Sequence, residues 1–211
     1  MMGCGAQDVV AALRAAADTV AEHRVELTDL DRPIGDADHG ENLNRGFTAL
    51  VASLDGGAPE TPGAVLKLAA TTLISKVGGA AGPLYGTAFL RAATAVGQAS
   101  ELNAAAVATA LRAGLDGVVA RGKAEVGDAT MVDALAPAVE AAQAATSDGI
   151  AAVLAAAADA ADAGADSTIP LVARKGRASY LGQRSAGHLD PGARSTALLL
   201  RTFAASAGVT R

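Results

Sequence analysis

Three carboxylates within eight residues are the first feature with chemical potential. The segment Leu30-Asp31-Arg32-Pro33-Ile34-Gly35-Asp36-Ala37-Asp38-His39-Gly40 carries Asp31, Asp36 and Asp38, and Pro33 with Gly35 prevents a continuous helix. Asp36 and Asp38 are two apart, so they point the same way only on an extended or looped backbone. Like charges held that close repel unless a cation sits among them. A hard, all-oxygen set suits Mg²⁺ or Ca²⁺. The EF-hand spacing fails, because Gly40 falls on a ligand position and no Glu follows at the right distance. Mg²⁺ held by a few carboxylates completes its shell with water and phosphate. The alternative is a solvated acidic turn in which Asp38 caps the next helix.

Three further loops stand out. Gly78-Gly79-Ala80-Ala81-Gly82-Pro83 leads into a helix with Pro83 suited to its first position. Its glycines let backbone N–H groups approach an anion, or simply allow two helices to cross closely. Gly117–Ala124 matches G-x-x-x-x-G-K, but Ala124 replaces the Mg²⁺-binding hydroxyl and no strand precedes it, so a P-loop is excluded. What remains is Gly122-Lys123 in a turn, followed by Gly127-Asp128-Ala129-Thr130-Met131 at a helix start, where Asp128 reads as an N-cap. In the fourth loop, Arg174, Lys175, Arg177 and Arg184 place four cations in eleven residues of an acidic chain. That is a phosphate or partner-protein contact or a solvated surface. Asp190-Pro191-Gly192 then opens the last helix. His39 and His188 lie in these loops, where a phosphotransfer role competes with plain hydrogen bonding, and His23 lies in the first helix.

The elements that must position these loops are helical. With 211 residues the chain is expected to form a single domain over 1–211. Its 55 alanines, 2% aromatics and lack of Trp imply a core of Ala, Leu and Val, which suits closely packed helices. Val9, Leu13, Ala17, Val20 and Leu27 line one face of a first helix. Comparable segments follow at 41–54, 62–76, 83–99, 103–119, 130–145, 149–163 and 192–207. Asp148-Gly149 opens the seventh helix, and Gly164 is placed to stop it. The expectation is an all-α, up-and-down bundle of eight helices with the four loops at one end.

Composition excludes other classes. A net charge of −5 and a pI near 5.1 argue against a nucleic-acid surface. Val77–Leu90, the longest stretch free of Asp, Glu, Lys and Arg, has 14 residues, whereas a membrane span needs about 18 to 20. Cys4 is the sole cysteine, so no disulfide framework exists. No secretory signal is visible, and a cytoplasmic location is expected.

Taken together, the loops resemble one family. Leu27-Thr28-Asp29-Leu30-Asp31, Ile34-Gly35-Asp36-Ala37-Asp38-His39-Gly40, Gly78-Gly79-Ala80-Ala81-Gly82-Pro83-Leu84, Gly122-Lys123-Ala124, Gly127-Asp128-Ala129-Thr130-Met131 and Gly176–Gly192 all match. The chain resembles, over essentially its whole length, the nucleotide-binding L subunits of dihydroxyacetone kinases. The resemblance implies an eight-helix antiparallel barrel with ADP or ATP and two Mg²⁺ among the loops at one end. It makes Asp31, Asp36 and Asp38 the metal ligands. His39, Gly40, Asn42, Ala80, Ala81, Gly122, Met131, Arg177, Asp190, Pro191 and Gly192 become nucleotide contacts, with Arg177 acting alongside the three aspartates in phosphoryl transfer. Three positions depart from the family's usual residues: Leu43 for Met, Ala81 for Ser and Ala129 for Lys. The last two remove a hydroxyl and a charge near the phosphates.

A free-standing chain of this length further implies the phosphotransferase design. In it, a tightly held ADP is phosphorylated by an M-type subunit and passes the phosphoryl group to dihydroxyacetone on a K subunit. Two other readings fit the same residues: a subunit of a split ATP-dependent kinase for another small ketose or polyol, and a catalytically idle ADP-bound regulatory module.

Overall fold

A computed structural model describes residues 3–208. Its helices are α1 (Ala6–Glu22), α2 (Arg24–Asp31), α3 (His39–Asp55), α4 (Pro62–Lys76), α5 (Ala81–Val96), α6 (Ala104–Gly122), α7 (Met131–Ala144), α8 (Ile150–Asp166) and α9 (Pro191–Gly208). Two 3₁₀ segments, Thr146–Asp148 and Arg177–Ser185, lie in the last two connections. Two-residue strands at Cys4–Gly5 and Glu101–Leu102 pair antiparallel and tie the start of the described chain to the α5–α6 loop.

The all-α expectation is borne out, with one more helix than the periodicity indicates. The first segment breaks at His23 (φ −91°, ψ 8°), which ends α1 and begins α2. Its side chain bonds Glu26 at 2.5 Å, whose carboxylate also takes Arg194 of α9. The bend thus brings α2 against α3 and α9. Each helix from α3 to α8 packs on its successor, and α1 packs on both α3 and α9, closing the ring. Short connections make neighbours antiparallel, so the α2–α3, α4–α5, α6–α7 and α8–α9 loops gather at one end.

Small side chains make that closure possible. Phe47, Leu13, Leu27, Leu43, Leu50 and Leu73 are fully buried, and alanines such as Ala16, Ala69, Ala134, Ala157 and Ala197 fill the seams. Gly164 does not stop α8, which continues to Asp166. A β-carbon there would lie 2.3 Å from the Asp133 carbonyl. Pro137 inside α7 has no N–H to return to that carbonyl, and α8 crosses at the bare spot. Gly164 is a packing glycine, invisible to a pattern that knows only helix ends.

Candidate functional site

Asp31, Asp36 and Asp38 converge. Each offers a carboxylate oxygen, and the three oxygens lie within 4.8 Å of one another. Asp31, at the end of α2, is buried, and its Oδ2 accepts the N–H groups of Asp38 (2.9 Å) and His39 (3.4 Å). Gly35 is required here, since a β-carbon would sit 2.0 Å from Asp31 Oδ1. Ala37 between the other two adopts φ 57°, the strained left-handed turn that sends residues two apart toward one point. Asp38 occupies the position before α3, yet its side chain makes no capping bond. That leaves its carboxylate free for the cluster.

Positive groups share the cleft with these carboxylates. The N-termini of α3, α5, α7 and α9, at His39, Ala81, Met131 and Pro191, all line one cleft of about 440 Å³. Each brings orphan N–H groups and the positive end of a helix dipole, a natural anion site. The Gly-rich loop reaches it because α5 begins at Ala81, two residues before the expected Pro83. Pro83 is third in the helix, where its N–H would also have been unpaired. Gly78 is forced by Asn42, whose Oδ1 would lie 2.6 Å from a β-carbon and instead accepts from Arg45 at 2.6 Å. Leu84, Val118, Met131 and Val132 give the cleft an apolar side.

The 3₁₀ strap between α8 and α9 closes the cleft. Arg177 bonds Asp36 at 2.8 Å while two-thirds exposed, so a cation already faces the acidic cluster. Lys175, another of the four cations, also lines the cleft. Arg174 is drawn toward Asp128, and its backbone N–H donates to the Asp128 carbonyl at 3.0 Å. Asp128 does not cap α7: Thr130 does, in a reciprocal box with Asp133, while the Asp128 carboxylate receives the Glu125 N–H.

Asp190 caps α9 through Ala193 N–H at 2.7 Å, with Pro191 at the first helical position. Burial, with the charges of Asp133 and Asp31 adding to it, pushes its carboxyl up from 3.8 to about 7, against the pull of the Ala193 and Gly192 backbone donors. The folded state therefore holds this proton more tightly than the unfolded chain. The associated stability is complete below the unfolded value and is lost as pH rises through about 7. Urea midpoints of the nucleotide-free protein should fall between about pH 5 and pH 8 on this account, and Asp190→Asn should flatten that slope. Equal slopes in the two proteins would refute the assignment. His39 is held neutral, because burial lowers its value more than Asp31 and Asp38 raise it.

Of the residues singled out from sequence, the cleft gathers Asp31, Asp36, Asp38, His39, Asn42, Ala80, Ala81, Gly122, Met131, Arg177, Asp190, Pro191 and Gly192. Gly40 does not reach it. A β-carbon on Gly40 would meet the Arg24 carbonyl at 2.0 Å, so this glycine lets α3 lie against α2. Sequence reasoning missed Ile34, Tyr85, Thr130 and Val118 as cleft residues. Tyr85 had a signal, being one of two tyrosines and placed just after the Gly-rich loop. Ile34 and Thr130 stood inside the quoted loop motifs, and Val118 had no signal beyond its helical spacing.

The profile of the family described as "DAK2 domain" matches residues 33–205. The chain belongs to the Dak2 family. Among curated Dak2 relatives, it is 48% identical over 183 residues to the "PEP-dependent dihydroxyacetone kinase, ADP-binding subunit DhaL" of Escherichia coli (strain K12), covering 86% of this chain and 87% of that one. It is 40% identical over 191 residues to the "PTS-dependent dihydroxyacetone kinase, ADP-binding subunit DhaL" of Lactococcus lactis, covering 88% and 90%. The dihydroxyacetone kinase of C. freundii, solved in complex with AMP-PNP and Mg²⁺, superposes with a TM-score of 0.75 at 27% identity. That match takes in 98% of this chain but 35% of the C. freundii chain, so this protein spans about a third of the longer kinase.

Within this Dak2 chain, both Ala81 and Ala129 line the cleft. Ala129 holds φ 56° and Lys123 φ 55°. With Ala37 they are the non-glycine residues of positive φ among those described, and all three sit in the site loops. Strain of this kind, about 1–3 kcal/mol each, persists where the surrounding structure enforces it.

Proposed function

We propose that this chain is the ADP-holding subunit of a phosphoenolpyruvate-dependent dihydroxyacetone kinase. An M-type phosphotransferase subunit phosphorylates the bound ADP, and the terminal phosphoryl group passes to dihydroxyacetone on a K subunit, giving dihydroxyacetone phosphate. The observation that carries this reading is that the carboxylate cluster and four helix N-termini line one cleft. Acid alone would repel a diphosphate, and helix ends alone would not need three aspartates. Together they fit a metal–phosphate pair.

The donor set fits Mg²⁺, being three hard oxygens close enough to share ions and able to leave positions for phosphate. Bound Mg²⁺ offsets charge on the diphosphate and on the group in transfer. Asp31, fixed by two backbone donors, sets the geometry, and Asp36 and Asp38 complete it. The first N–H groups of α5, beyond Gly78–Ala81, hold phosphate oxygens. Leu84, Val118, Met131 and Val132 receive the base, and Asp190–Gly192 closes the ribose side. Arg177, free to leave Asp36 once metal takes the aspartates, places its planar fork on the phosphoryl group. Among the described residues no helix is long and apolar enough to cross a membrane.

Arg177→Ala is expected to slow phosphoryl transfer about a hundredfold, a loss typical of one group that stabilises transferring charge. Lys175→Ala, just before the strap and with no carboxylate partner among the described residues, should cost only a few-fold. Rapid-quench rates distinguish them, and equal mild losses would remove Arg177 from the reaction.

The experiment for the whole reading is a single turnover with labelled donor, an M-type subunit, this chain and a K subunit. Label should appear on bound ADP and then on dihydroxyacetone, with no exchange against free nucleotide, because several charge-assisted contacts make ADP release slow. Acid-labile label on His39 or His188, or product that needs continuous free ATP, would overturn it.

A further inference from the structure

Behind the cleft lies a group of hydroxyls that the reaction above does not use. Tyr85 of α5 and Ser195 and Thr196 of α9 are buried. Tyr85 Oη is 2.7 Å from Ser195 Oγ and 3.0 Å from Thr196 Oγ1, and Thr196 Oγ1 is 2.8 Å from the Gly192 carbonyl. Ser195 Oγ is in turn 2.9 Å from Nε2 of His39, the first residue of α3. The group therefore ties together three of the helices whose N-termini face the cleft.

The protons can be counted. Three hydroxyls supply one proton each. The three short contacts among them and the Gly192 carbonyl consume all three, provided Ser195 donates to Tyr85, Tyr85 to Thr196 and Thr196 to Gly192 O. The fourth contact, between Ser195 and His39, must then be supplied by the imidazole. If Ser195 donated to His39 instead, two protons would remain for the 2.7, 3.0 and 2.8 Å contacts, and one of these would bring two oxygens together with no proton between them. The alternative acceptor for Ser195, Gly192 O at 3.1 Å, already takes Thr196.

We infer that Ser195, backed by Tyr85, is a positioning residue that fixes His39 as the Nε2–H tautomer and so presents Nδ1 to the cleft as a hydrogen-bond acceptor. Among the described residues Nδ1 has no protein partner, and His39 lines the cleft. A bare nitrogen lone pair repels phosphate oxygens, so its partner is an O–H donor, either a ribose hydroxyl or an ordered water. The second half of this inference rests on the nucleotide reading given above, and the first half does not.

The test is ¹⁵N-histidine NMR. The chain has three histidines, and His39 is the resonance lost in His39→Gln. Nucleotide-free protein should show the Nε2–H pattern. Ser195→Ala should give mixed tautomers and release ADP about tenfold faster, the scale of one net hydrogen bond. Thr196→Val, equally buried, should keep the tautomer and the release rate, because Tyr85 can donate to Gly192 O at 3.3 Å. Repeating the release measurement with 2′- and 3′-deoxy-ADP locates the partner. A Ser195→Ala penalty that vanishes for one analogue assigns that ribose hydroxyl, and a penalty shared by all three nucleotides assigns water. An Nδ1–H pattern in the unsubstituted protein overturns the inference, as do Ser195→Ala and Thr196→Val proteins alike in tautomer and release. Failure to bind ADP beside an intact Nε2–H pattern would instead remove the nucleotide reading.

Discussion

Asp36→Asn and Asp38→Asn are each expected to lower phosphoryl transfer by about 10²- to 10³-fold or more, the scale of losing one group that stabilises developing charge. Each variant keeps the shape of the side chain and deletes one of three charges whose oxygens lie within 4.8 Å. The thermal signature separates this from a folding defect. In ADP and Mg²⁺ the unsubstituted protein gains stability by mass action, about 2.7 kcal/mol at a hundred times Kd. At about 2–4 °C per kcal/mol for a chain of this size, that is about 5–10 °C of Tm. Both variants should lose most of that gain, as should the unsubstituted protein in chelator. Without ligand the sign reverses: removing one of three mutually repelling carboxylates should leave Tm unchanged or raise it. Asp31→Asn is different, because the buried Asp31 also accepts the Asp38 and His39 N–H groups, so it should lower Tm with or without ligand. Ligand-dependent Tm gains that survive in both the Asp36 and Asp38 variants would dismantle the metal assignment.

Gly40→Ala is expected to have the largest effect on stability of any change near the site. The added methyl would sit 2.0 Å from the Arg24 carbonyl and 2.7 Å from Thr28 Oγ1, and the first of these is backbone that cannot rotate away. Overpacking of this kind costs about 3 kcal/mol or more, hence about 6–12 °C of Tm. Separating α3 from α2 also pulls the His39 and Asp38 amides off Asp31, so ADP affinity should fall although Gly40 touches no part of the cleft. Calorimetry and ADP titration check both, and a Tm within a degree or two of the parent would show that α2 yields easily. Gly79→Ala gives the contrast. Gly79 has φ 63°, but a β-carbon added there would meet only Asn42 Nδ2, at 3.8 Å. Its penalty should be the smaller one of a non-glycine left-handed turn.

The helical class, most helix boundaries and the four loops were legible because they depend on local physics. An Ala- and Leu-rich chain repeating its apolar residues every three to four positions can bury them only as helices. Asp31, Asp36 and Asp38 were legible as a cluster because Pro33 and Gly35 break the helix between them. The resemblance then supplied Asn42 and Gly122, and it singled out Ala80 and Arg177 within loops that glycine content and charge had already marked. What the tertiary structure alone decided concerns groups distant in sequence. The kink at His23 is set by Glu26 and Arg194, and the latter lies 168 residues from Glu26. Gly40 and Gly164 look like loop and stop signals, yet each is fixed by a carbonyl on a neighbouring helix that periodicity does not reveal. Lys175 became a cleft residue only when the segment around it folded back onto Asp128 and Asp36. The link from His39 to Ser195 spans 156 residues and exists only because the ring of helices closes. Local pattern determines which segments become helices and where charge collects. Which backbone atoms meet, and which hydroxyl holds which imidazole, follows from close packing between helices, where a single methyl group decides the fit.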